Sequence, residues 1–287
     1  MLTFTNQAAL SYRNRVRYSN LTTGQIADAL TVAKEALTTA YGPEDDITYV
    51  VRLANNGTAA VTGLTVTDDL GGYDFNGGTL YPLSYVPGSL RFFVNGAEQA
   101  APSVTAGPPL SVSGVSVPAG GNALLIYEAT VTEYASPEAG GTIPNTVTVS
   151  GGGLAAPVTA TATVTAESGP ELSIAKALTP ETVGADRQVV YTFTIENQGN
   201  AATAEEDNVI VTDTFDPALA DITVTLNGAP LPQEGNYTYD EATGAFATVP
   251  GAIPVPAAVY TQDPTTGVYT AEPGEAVLTV TGTIQTV

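Results

Sequence analysis

The chain contains only two lysines, and both occupy the same place in two similar stretches of sequence. Lys34 ends the run LTVAK at residues 30–34, and Lys176 ends the run LSIAK at residues 172–176. A buried lysine beside an asparagine and a carboxylic acid can form an amide cross-link. The neutral amine attacks the side-chain carbonyl, the acid polarises that carbonyl and relays protons, and ammonia leaves. The two matched lysines are therefore the first candidates for chemistry in this chain.

Each lysine has candidate partners at matching positions. Asn145 and the assisting acid Asp68 are the candidates for Lys34, which gives an intramolecular bond. Asp213 matches Asp68 and would assist Lys176, but the second stretch stops before a matching asparagine. Asn6 occupies the matching place near the N-terminus, so its bond to Lys176 would join two subunits. The reaction requires a lysine pKa below about 10.4 and an aspartate pKa above about 3.9, and burial shifts both in the required direction.

A second interpretation of the same residues stays open. Each lysine and its aspartate could form a buried ion pair, with the asparagine hydrogen-bonded beside it. Two further asparagines, Asn55 and Asn197, also correspond between the stretches, but each stands in an Asn-x-Gly turn context. We expect those two to bond to the backbone rather than to react.

The elements that must position these residues are β-strands. Runs rich in Val, Thr, Ile and Tyr alternate at period two and are separated by Gly, Pro and Asn-Gly, which predicts an all-β chain of short antiparallel strands. Residues 47–57 match 189–199, residues 64–68 match 209–213, and residues 123–134 match 276–287. This internal repeat predicts two tandem immunoglobulin-like β-sandwiches, a complete one over 27–168 and a truncated one over 169–287.

The strands missing from the second repeat have a counterpart at the other end of the chain. The first repeat continues through residues 142–151 and 158–165 as a closing hairpin, whereas the second repeat ends before it. Residues 3–12 resemble residues 142–151, and residues 19–23 take the place of 162–166. Because an uncovered sheet edge is an aggregation template, we expect residues 1–26 to act as donor strands that complete the second sandwich of another subunit.

The donor segment is distinguished by its apolar side chains and by its charge. The first 26 residues carry three bases and no acid, residues 27–167 carry thirteen acids and three bases, and residues 171–287 carry sixteen acids and two bases. A basic donor facing an acidic acceptor favours encounter and specificity, although the arginines could also merely decorate a solvated strand. The donor residues are Phe4, Ala8, Leu10, Arg13, Arg15, Arg17 and Leu21.

Three motifs resemble those of a known family. Tyr-x5-Asn-x-Gly at residues 49–57 and 191–199, Val-Thr-Asp at 66–68 and 211–213, and NTVTV at 145–149 are similar to the conserved repeat domain of bacterial surface proteins, also called domain of unknown function eleven. The resemblance covers nearly the whole chain and extends to small two-repeat proteins of spore-forming Clostridia. It implies immunoglobulin-like sandwiches on a cell surface, and some similar Gram-positive pilin and adhesin domains contain lysine–asparagine cross-links.

Composition narrows the possible functions further. The chain has no His and no Cys, so most enzyme classes and the usual zinc and haem ligands are disfavoured, and we expect no metal, no cofactor and no enzyme activity beyond self-catalysed cross-linking. A net charge of −21 disfavours nucleic acid as a partner. No apolar run of membrane-spanning length and no classical signal peptide is visible in the sequence.

The sequence therefore predicts a structural subunit of an extracellular or spore-surface filament. Its partner is a second copy, joined head to tail, with a possible anchor protein on the cell or spore surface. A monomeric adhesin or a carbohydrate- or calcium-binding module is the alternative. For that alternative the acid clusters at residues 44–46 and 205–207 are the candidate ligands.

Overall fold

The computed structural model describes residues 2–26 and 30–285, and it is almost entirely β-structure. The chain divides into two compact units, one comprising residues 1–136 and 141–165 and the other 137–140 and 166–287. The expected junction between the donor segment and the first sandwich falls at residues 27–29, which lie outside the described residues. Within the described ranges, no helix has the length and apolar character needed to cross a membrane.

The N-terminal segment folds into a bent β-hairpin, here called the N-terminal hairpin. It contains β1 (Leu2–Asn6), β2 (Ala9–Tyr12), β3 (Arg15–Tyr18) and β4 (Thr22–Ile26). Strand β1 pairs with β4, and β2 pairs with β3. Within the described residues these four strands pair only with one another, so the hairpin is not part of either sandwich.

The remainder of the first unit forms the first sandwich. Its strands are β5 (Leu30–Ala36), β6 (Ala40–Tyr41), β7 (Asp46–Asn55), β8 (Val61–Asp68), β9 (Tyr73–Phe75), β10 (Gly78–Leu80), β11 (Leu83–Tyr85), β12 (Arg91–Val94), β13 (Ala97–Gln99), β14 (Ser103–Thr105), β15 (Leu110–Val117), β16 (Asn122–Val131), β17 (Thr142–Gly151) and β18 (Val158–Ala166).

Two six-stranded sheets make up this sandwich. One has the order β13-β12-β16-β7-β5, with β11 also paired to β16, and the other has the order β14-β15-β8-β17-β18-β6. Strand residues alternate between buried and exposed because successive side chains point to opposite faces of a sheet. Strands β5 and β17 lie across the core from each other, with Cα atoms within 8 Å.

The second unit contains the second sandwich. Its elements are β19 (Leu172–Thr179), β20 (Gln188–Asn197), a 3-10 turn (Glu205–Asp207), β21 (Thr212–Thr214), β22 (Leu219–Leu226), β23 (Ala229–Pro230), β24 (Tyr237–Asp240), β25 (Ala245–Thr248), β26 (Val259–Gln262), β27 (Tyr269–Glu272) and β28 (Gly274–Ile284). Its main sheet has the order β19-β20-β28-β22-β23, and its other large sheet has only β21-β25-β24.

Strand register shows that the two sandwiches are structural repeats. Lys34 stands opposite Val51 on β7, and Lys176 stands opposite Phe193 on β20. The turns also correspond, since Asn95-Gly96 and Asn227-Gly228 both adopt the left-handed backbone that Asn-Gly hairpin turns require. The run 30–36, which the alternation predicts as a strand, is β5.

The second sandwich lacks the closing hairpin of the first. In the first sandwich, β8 pairs with β15 on one side and with β17 on the other. Its counterpart β21 pairs with β25, and within the described residues no strand pairs with its other edge. Strand β21 has three residues where β8 has eight, and β25 pairs with it over those three residues only. We call this edge the open edge.

One alignment from the sequence needs correction. The N-terminal hairpin pairs Asn6 with Thr22, as the closing hairpin pairs Asn145 with Ala162. Residues 22–26, rather than 19–23, therefore match residues 162–166. One residue of this three-residue shift is a local irregularity, because Leu10 lies four positions after Asn6, whereas Thr22 lies five positions after Arg17. The return strand thus contains one extra residue near Ser19, as in a β-bulge.

Candidate functional site

Lys34 lies in a polar cluster at the centre of the first sandwich. Its side chain is fully buried, and its Nζ donates a hydrogen bond to Asp68 Oδ2 over 2.6 Å. The hydroxyl of Tyr127 donates to the same carboxylate oxygen. The amine also lies over the ring of Tyr49, at 4.6 Å from its centroid. The other carboxylate oxygen of Asp68 accepts from the Leu70 amide at 2.8 Å, so a buried carboxylate with three donors holds the buried amine in place.

The environment shifts the pKa of these groups in a consistent way. Burial lowers the pKa of the Lys34 amine below its ordinary value, and the charge of Asp68 opposes that shift without cancelling it. Burial raises the pKa of the Tyr127 phenol well above its ordinary value, and the nearby carboxylate of Asp68 raises it further. The cluster therefore holds an amine whose pKa is lowered by burial and a phenol that remains a hydrogen-bond donor.

Asn145 is buried in the first sandwich without hydrogen-bond partners. It lies on β17 two residues from Val147, which stands opposite Asp68, so Asn145 and Val147 point to the same face. Neither polar atom of its side chain has a partner, and the buried hydroxyl of Tyr49 also lacks one. Burial raises the pKa of Tyr49, and the nearby Asn145 partly offsets the rise, although the two groups do not meet the geometry of a hydrogen bond.

The other buried asparagines are fully satisfied, which makes Asn145 unusual. Asn55 accepts from the Gly57 amide at 2.9 Å and donates to the carbonyls of Ala59 and Pro118 at 2.8 and 3.0 Å. Asn197 caps backbone groups in the same way. A buried amide without partners costs about 1–3 kcal/mol. Asn145 therefore contributes little as a hydrogen-bonding residue, and its carbonyl carbon is available for another role.

The lysine of the second sandwich has an aspartate partner but a more open site. Lys176 contacts Asp213 through its Nζ, and its side chain is 42% exposed where that of Lys34 is 0%. It lies over the ring of Tyr191, the counterpart of Tyr49, at 4.7 Å. Val280 stands opposite Tyr191 where Tyr127 stands opposite Tyr49. The second aspartate therefore lacks a phenol donor at that position.

The sheet face around Lys176 is uncovered. Leu172 is 39% exposed and Ile174 is 57% exposed on β19. Leu30, the counterpart of Leu172, is 2% exposed. This exposed apolar face of β19 and the open edge of β21 together form the surface that we call the acceptor groove.

The predicted donor residues all lie on the N-terminal hairpin, and every one of them is exposed: Phe4, Ala8, Leu10, Arg13, Arg15, Arg17 and Leu21. Asn6 is exposed as well. The Phe4 ring lies across Gly24, where any larger side chain would collide with it. The hairpin is therefore folded and carries its own cross-strand packing, while its apolar side chains remain uncovered.

One aspartate in each of the two acid clusters proposed as calcium ligands accepts a hydrogen bond from a nearby backbone amide. Asp45 accepts a hydrogen bond from the Gly42 amide at 2.6 Å, and Asp207 accepts one from the Ala204 amide at 2.7 Å. In the described part of the chain, no three acidic side chains converge as metal ligands.

Sequence reasoning missed two tyrosines of the lysine cluster. Tyr49 and Tyr127 stack with ring centroids 5.9 Å apart and surround the Lys34–Asp68 pair. Both occupy core-facing positions in alternating strands. A residue with a polar tip at such a position must reach a partner, and this signal would have identified them.

Comparison with known proteins yields distant structural similarities only. No protein-family model matches the chain, and no curated protein matches it. The major pilin subunit BcpA of Bacillus cereus is similar over 95% of this chain and 73% of its own, with 12% identity and a TM-score of 0.37. The pilus backbone RrgB of Streptococcus pneumoniae is similar over 85% of this chain, with 13% identity and a TM-score of 0.34.

This chain covers only 55% of the length of RrgB. A family 123 glycoside hydrolase from Clostridium perfringens is similar over 48% of this chain, with 10% identity and a TM-score of 0.31. The resemblance to the bacterial surface repeat family therefore rests on the motifs in the sequence alone.

Proposed function

We propose that this protein is the structural subunit of a filament, in which the N-terminal hairpin of one copy fills the acceptor groove of the next. The observation that carries the proposal is the open edge of β21. It lies at the position where the first sandwich holds its closing hairpin of β17 and β18. The chain carries a second, unattached hairpin of matching sequence and matching fold.

Docking would pair the open edge of the acceptor and bury the exposed apolar side chains of the hairpin. An unpaired sheet edge readily accepts another strand, and strand addition supplies backbone hydrogen bonds together with side chains at alternate positions. In the first sandwich, Ile143, Val147 and Val149 of β17 face the core and are buried. Phe4, Ala8 and Leu10 are their counterparts in the hairpin. Burial of each large apolar side chain contributes about 1.5–3 kcal/mol.

The symmetry of this contact leads to a linear polymer. Donor and acceptor are different surfaces at opposite ends of the sequence, so the contact is heterologous and propagates unless it closes into a ring. Net charge of −21 opposes lateral clumping and favours solubility. We place the filament on the exterior of a cell or spore, with an anchor protein at its base.

We further propose that amide cross-links reinforce the fold and the filament. In the first sandwich, neutral Lys34 Nζ attacks Cγ of Asn145, a new C–N bond forms, and the bond from Cγ to Nδ2 breaks. Asp68 transfers a proton from the amine to the departing nitrogen, which leaves as ammonia. Three features support the reaction: the lowered pKa of Lys34, its contact with Asp68, and the buried amide of Asn145 without partners.

The same chemistry at the second sandwich would link subunits. Lys176 and Asp213 are in contact there, and docking in the matching register would bring Asn6 to the position that Asn145 has in the first sandwich. Docking would also cover the half-exposed amine, which lowers a lysine pKa. Docking would therefore create the conditions for the bond between Lys176 and Asn6.

Electron microscopy of matched variants tests the polymer. Leu10 and Leu37 are equally exposed, at 65% each, but Leu37 lies outside the hairpin and the acceptor groove. Leu10→Asp should abolish filaments, because it would bury a charge against β19, whereas Leu37→Asp should leave them unchanged. A chain lacking residues 1–26 should stay monomeric and should bind added peptide 1–26. Filaments in the truncated protein, or a two-fold dimer as the only assembly, would contradict the proposal.

Mass spectrometry and denaturing electrophoresis test the cross-links. Wild-type filaments should resist boiling in detergent and should be lighter by one ammonia for each internal bond and each intersubunit bond. Asn6→Ala should abolish the ladder of oligomers and keep the internal bond, whereas Asn145→Ala should do the reverse. Subunits of unmodified mass would show that each lysine forms only an ion pair.

A further inference from the structure

The closing hairpin of the first sandwich shows where the tip of a docked hairpin must lie. Its turn is centred on Gly152 and Gly153, with the amide of Leu154 bonded to the carbonyl of Gly151 at 3.0 Å. A Cβ atom at Gly151 would collide with the backbone of Gly63, and one at Gly152 would collide with Val61. The turn therefore rests directly on residues 61–64, at the start of β8.

The N-terminal hairpin has a turn of the same conformation. Its central residues Arg13 and Asn14 have φ values of 45° and 59°, and Gly152 and Gly153 have φ values of 59° and 76°. Both pairs are left-handed, as the centre of a type I′ turn requires, although strand pairing ends at Val149 and Val158 in the closing hairpin and at Tyr12 and Arg15 in the N-terminal hairpin. The match between residues 3–12 and 142–151 thus extends through the turn, and it sets Arg13 at the place of Gly152.

The surface beneath the turn also corresponds in the two sandwiches. The match of residues 64–68 with 209–213, continued towards the N-terminus, sets Asn208 at the place of Gly63 and Glu206 at that of Val61. Asn208 has φ 51° and Gly63 has φ 72°, so both are left-handed at the same position. The backbone therefore corresponds at this position, before the start of β21, whereas residues 205–207 form a 3-10 turn where Val61 begins β8.

The turn and the residues beneath it are uncharged in the first sandwich, whereas their counterparts are charged. In the first sandwich, the glycine turn meets the uncharged run Ala60-Val61-Thr62. In the second, residues 205–207 are Glu-Glu-Asp, and the hairpin that would meet them carries arginine at positions 13 and 15. Glu205 and Glu206 are exposed. An apolar contact within one chain is replaced by opposite charges in the contact between chains.

We infer, building on the proposed function, that the turn of the N-terminal hairpin docks on residues 205–209 of a second copy, where Arg13 and Arg15 pair with Glu205 and Glu206. This contact fixes the register, with Ala8 opposite Asp213, Leu10 opposite Val211 and Tyr12 opposite Val209. Register requires such a device because the open edge alone would also accept the hairpin two residues away. The charges also steer the encounter.

Paired cysteines test the register in the full-length protein, which has no cysteine of its own. One variant carries Ser11→Cys, and its mixing partner carries Ile210→Cys, Asn208→Cys or Thr212→Cys. In the inferred register Ser11 stands opposite Ile210, at a spacing that suits a disulfide. With oxidised glutathione present, the Ile210→Cys mixture should form at least tenfold more cross-linked dimer than either of the other two mixtures.

The pattern of results separates the two proposals. A disulfide that forms preferentially at residue 208 or 212 overturns the inferred register and leaves strand donation intact. The absence of a disulfide at all three positions overturns both the register and the proposed docking.

Charge reversal tests the contact at the turn. Arg13→Glu should slow filament growth at low salt by about tenfold or more, and the effect should shrink as salt is added. Glu206→Arg in the acceptor should restore growth for Arg13→Glu donors. Arg17→Glu makes the same charge change away from the turn and should not be rescued by Glu206→Arg. Failure of Glu206→Arg to rescue Arg13→Glu would overturn the proposed pairing.

Discussion

The two sandwiches have the same strand arrangement, but among the described strands only the first contains the closing hairpin of β17 and β18. Both hold a single lysine on the first strand, an aspartate on the strand across the core and a tyrosine beneath the amine. They differ in the hairpin that covers this trio. Where β17 is present, the lysine side chain is fully buried, and where its counterpart is absent, the lysine is 42% exposed.

The difference indicates that burial of the lysine depends on the last hairpin more than on the local sequence. Residues 30–34 and 172–176 have nearly the same pattern, yet Leu30 is buried and Leu172 is exposed. Under the proposed function, the second site would stay open until the hairpin of another copy docks. Cross-linking at Lys176 would then occur only in the assembled state.

The largest expected difference concerns the two lysines. In full-length subunits kept monomeric by Leu10→Asp and free of the internal cross-link by Asn145→Ala, Lys34→Met should destabilise the first sandwich by about 3–5 kcal/mol, because it removes the only basic side chain among the described residues that pairs with the buried Asp68 carboxylate. Lys176→Met should cost the second sandwich no more than about 1 kcal/mol, since that pair is partly solvated. Hydrogen exchange read separately on β16 and β28 measures the two effects. Equal losses would contradict the comparison.

The leucine pair at the start of β5 and β19 gives the next effect. Leu30→Ala should cost about 2–5 kcal/mol, because the side chain is buried and its removal leaves a cavity. Leu172→Ala should change the stability of the monomeric second sandwich by less than about 1 kcal/mol, yet it should weaken filaments by removing an apolar contact for the hairpin. Thermal melts of the monomeric variants and filament yield check the two halves.

Tyr127 provides a smaller effect that is confined to the first sandwich. Tyr127→Phe removes the hydroxyl that donates to Asp68, and loss of a hydrogen bond to a charged group costs about 1.5–3 kcal/mol. Val280→Ala at the matching position tests for a purely steric contribution. If Tyr127→Phe leaves stability unchanged, a bond between that phenol and the carboxylate does not support the cluster.

Much of this architecture can be predicted because the sequence contains an internal repeat, so that each sandwich can be compared with the other. The repeat predicts which positions correspond, and the register of Lys34 and Lys176 confirms the correspondence. Alternation at period two predicts which face of each strand is buried. The placement of the satisfied asparagines Asn55 and Asn197 also follows, since their turn context demands backbone bonds.

Other features depend on contacts between distant strands and on bulges, which the alternation of residues along a strand does not predict. The contact of Tyr127 with Asp68 joins two different sheets, so neither strand alone indicates it. The extra residue near Ser19 shifts the return strand of the N-terminal hairpin and accounts for one of the three residues by which the alignment of residues 19–23 was displaced. Bulges change register without an obvious change in residue type.

The smallest effect is expected at the asparagines, and it distinguishes an amide that reacts from one that bonds. Asn55→Ala removes a side chain that satisfies several backbone groups, and unsatisfied buried groups cost about 1–3 kcal/mol. Asn145→Ala, made in a Lys34→Met background where no cross-link can form, removes an amide without partners. It should therefore be neutral or slightly stabilising, since the desolvation of that amide no longer has to be offset. In the wild-type background, Asn145→Ala should instead lower the melting temperature, because the covalent bond is lost. Calorimetry of the wild type, Asn145→Ala, Lys34→Met and the double variant, together with their masses, measures this reversal of sign. A loss of more than about 1 kcal/mol in the Lys34→Met background would mean that Asn145 has a hydrogen-bonding role, and the case for its reactivity would then rest on the mass alone.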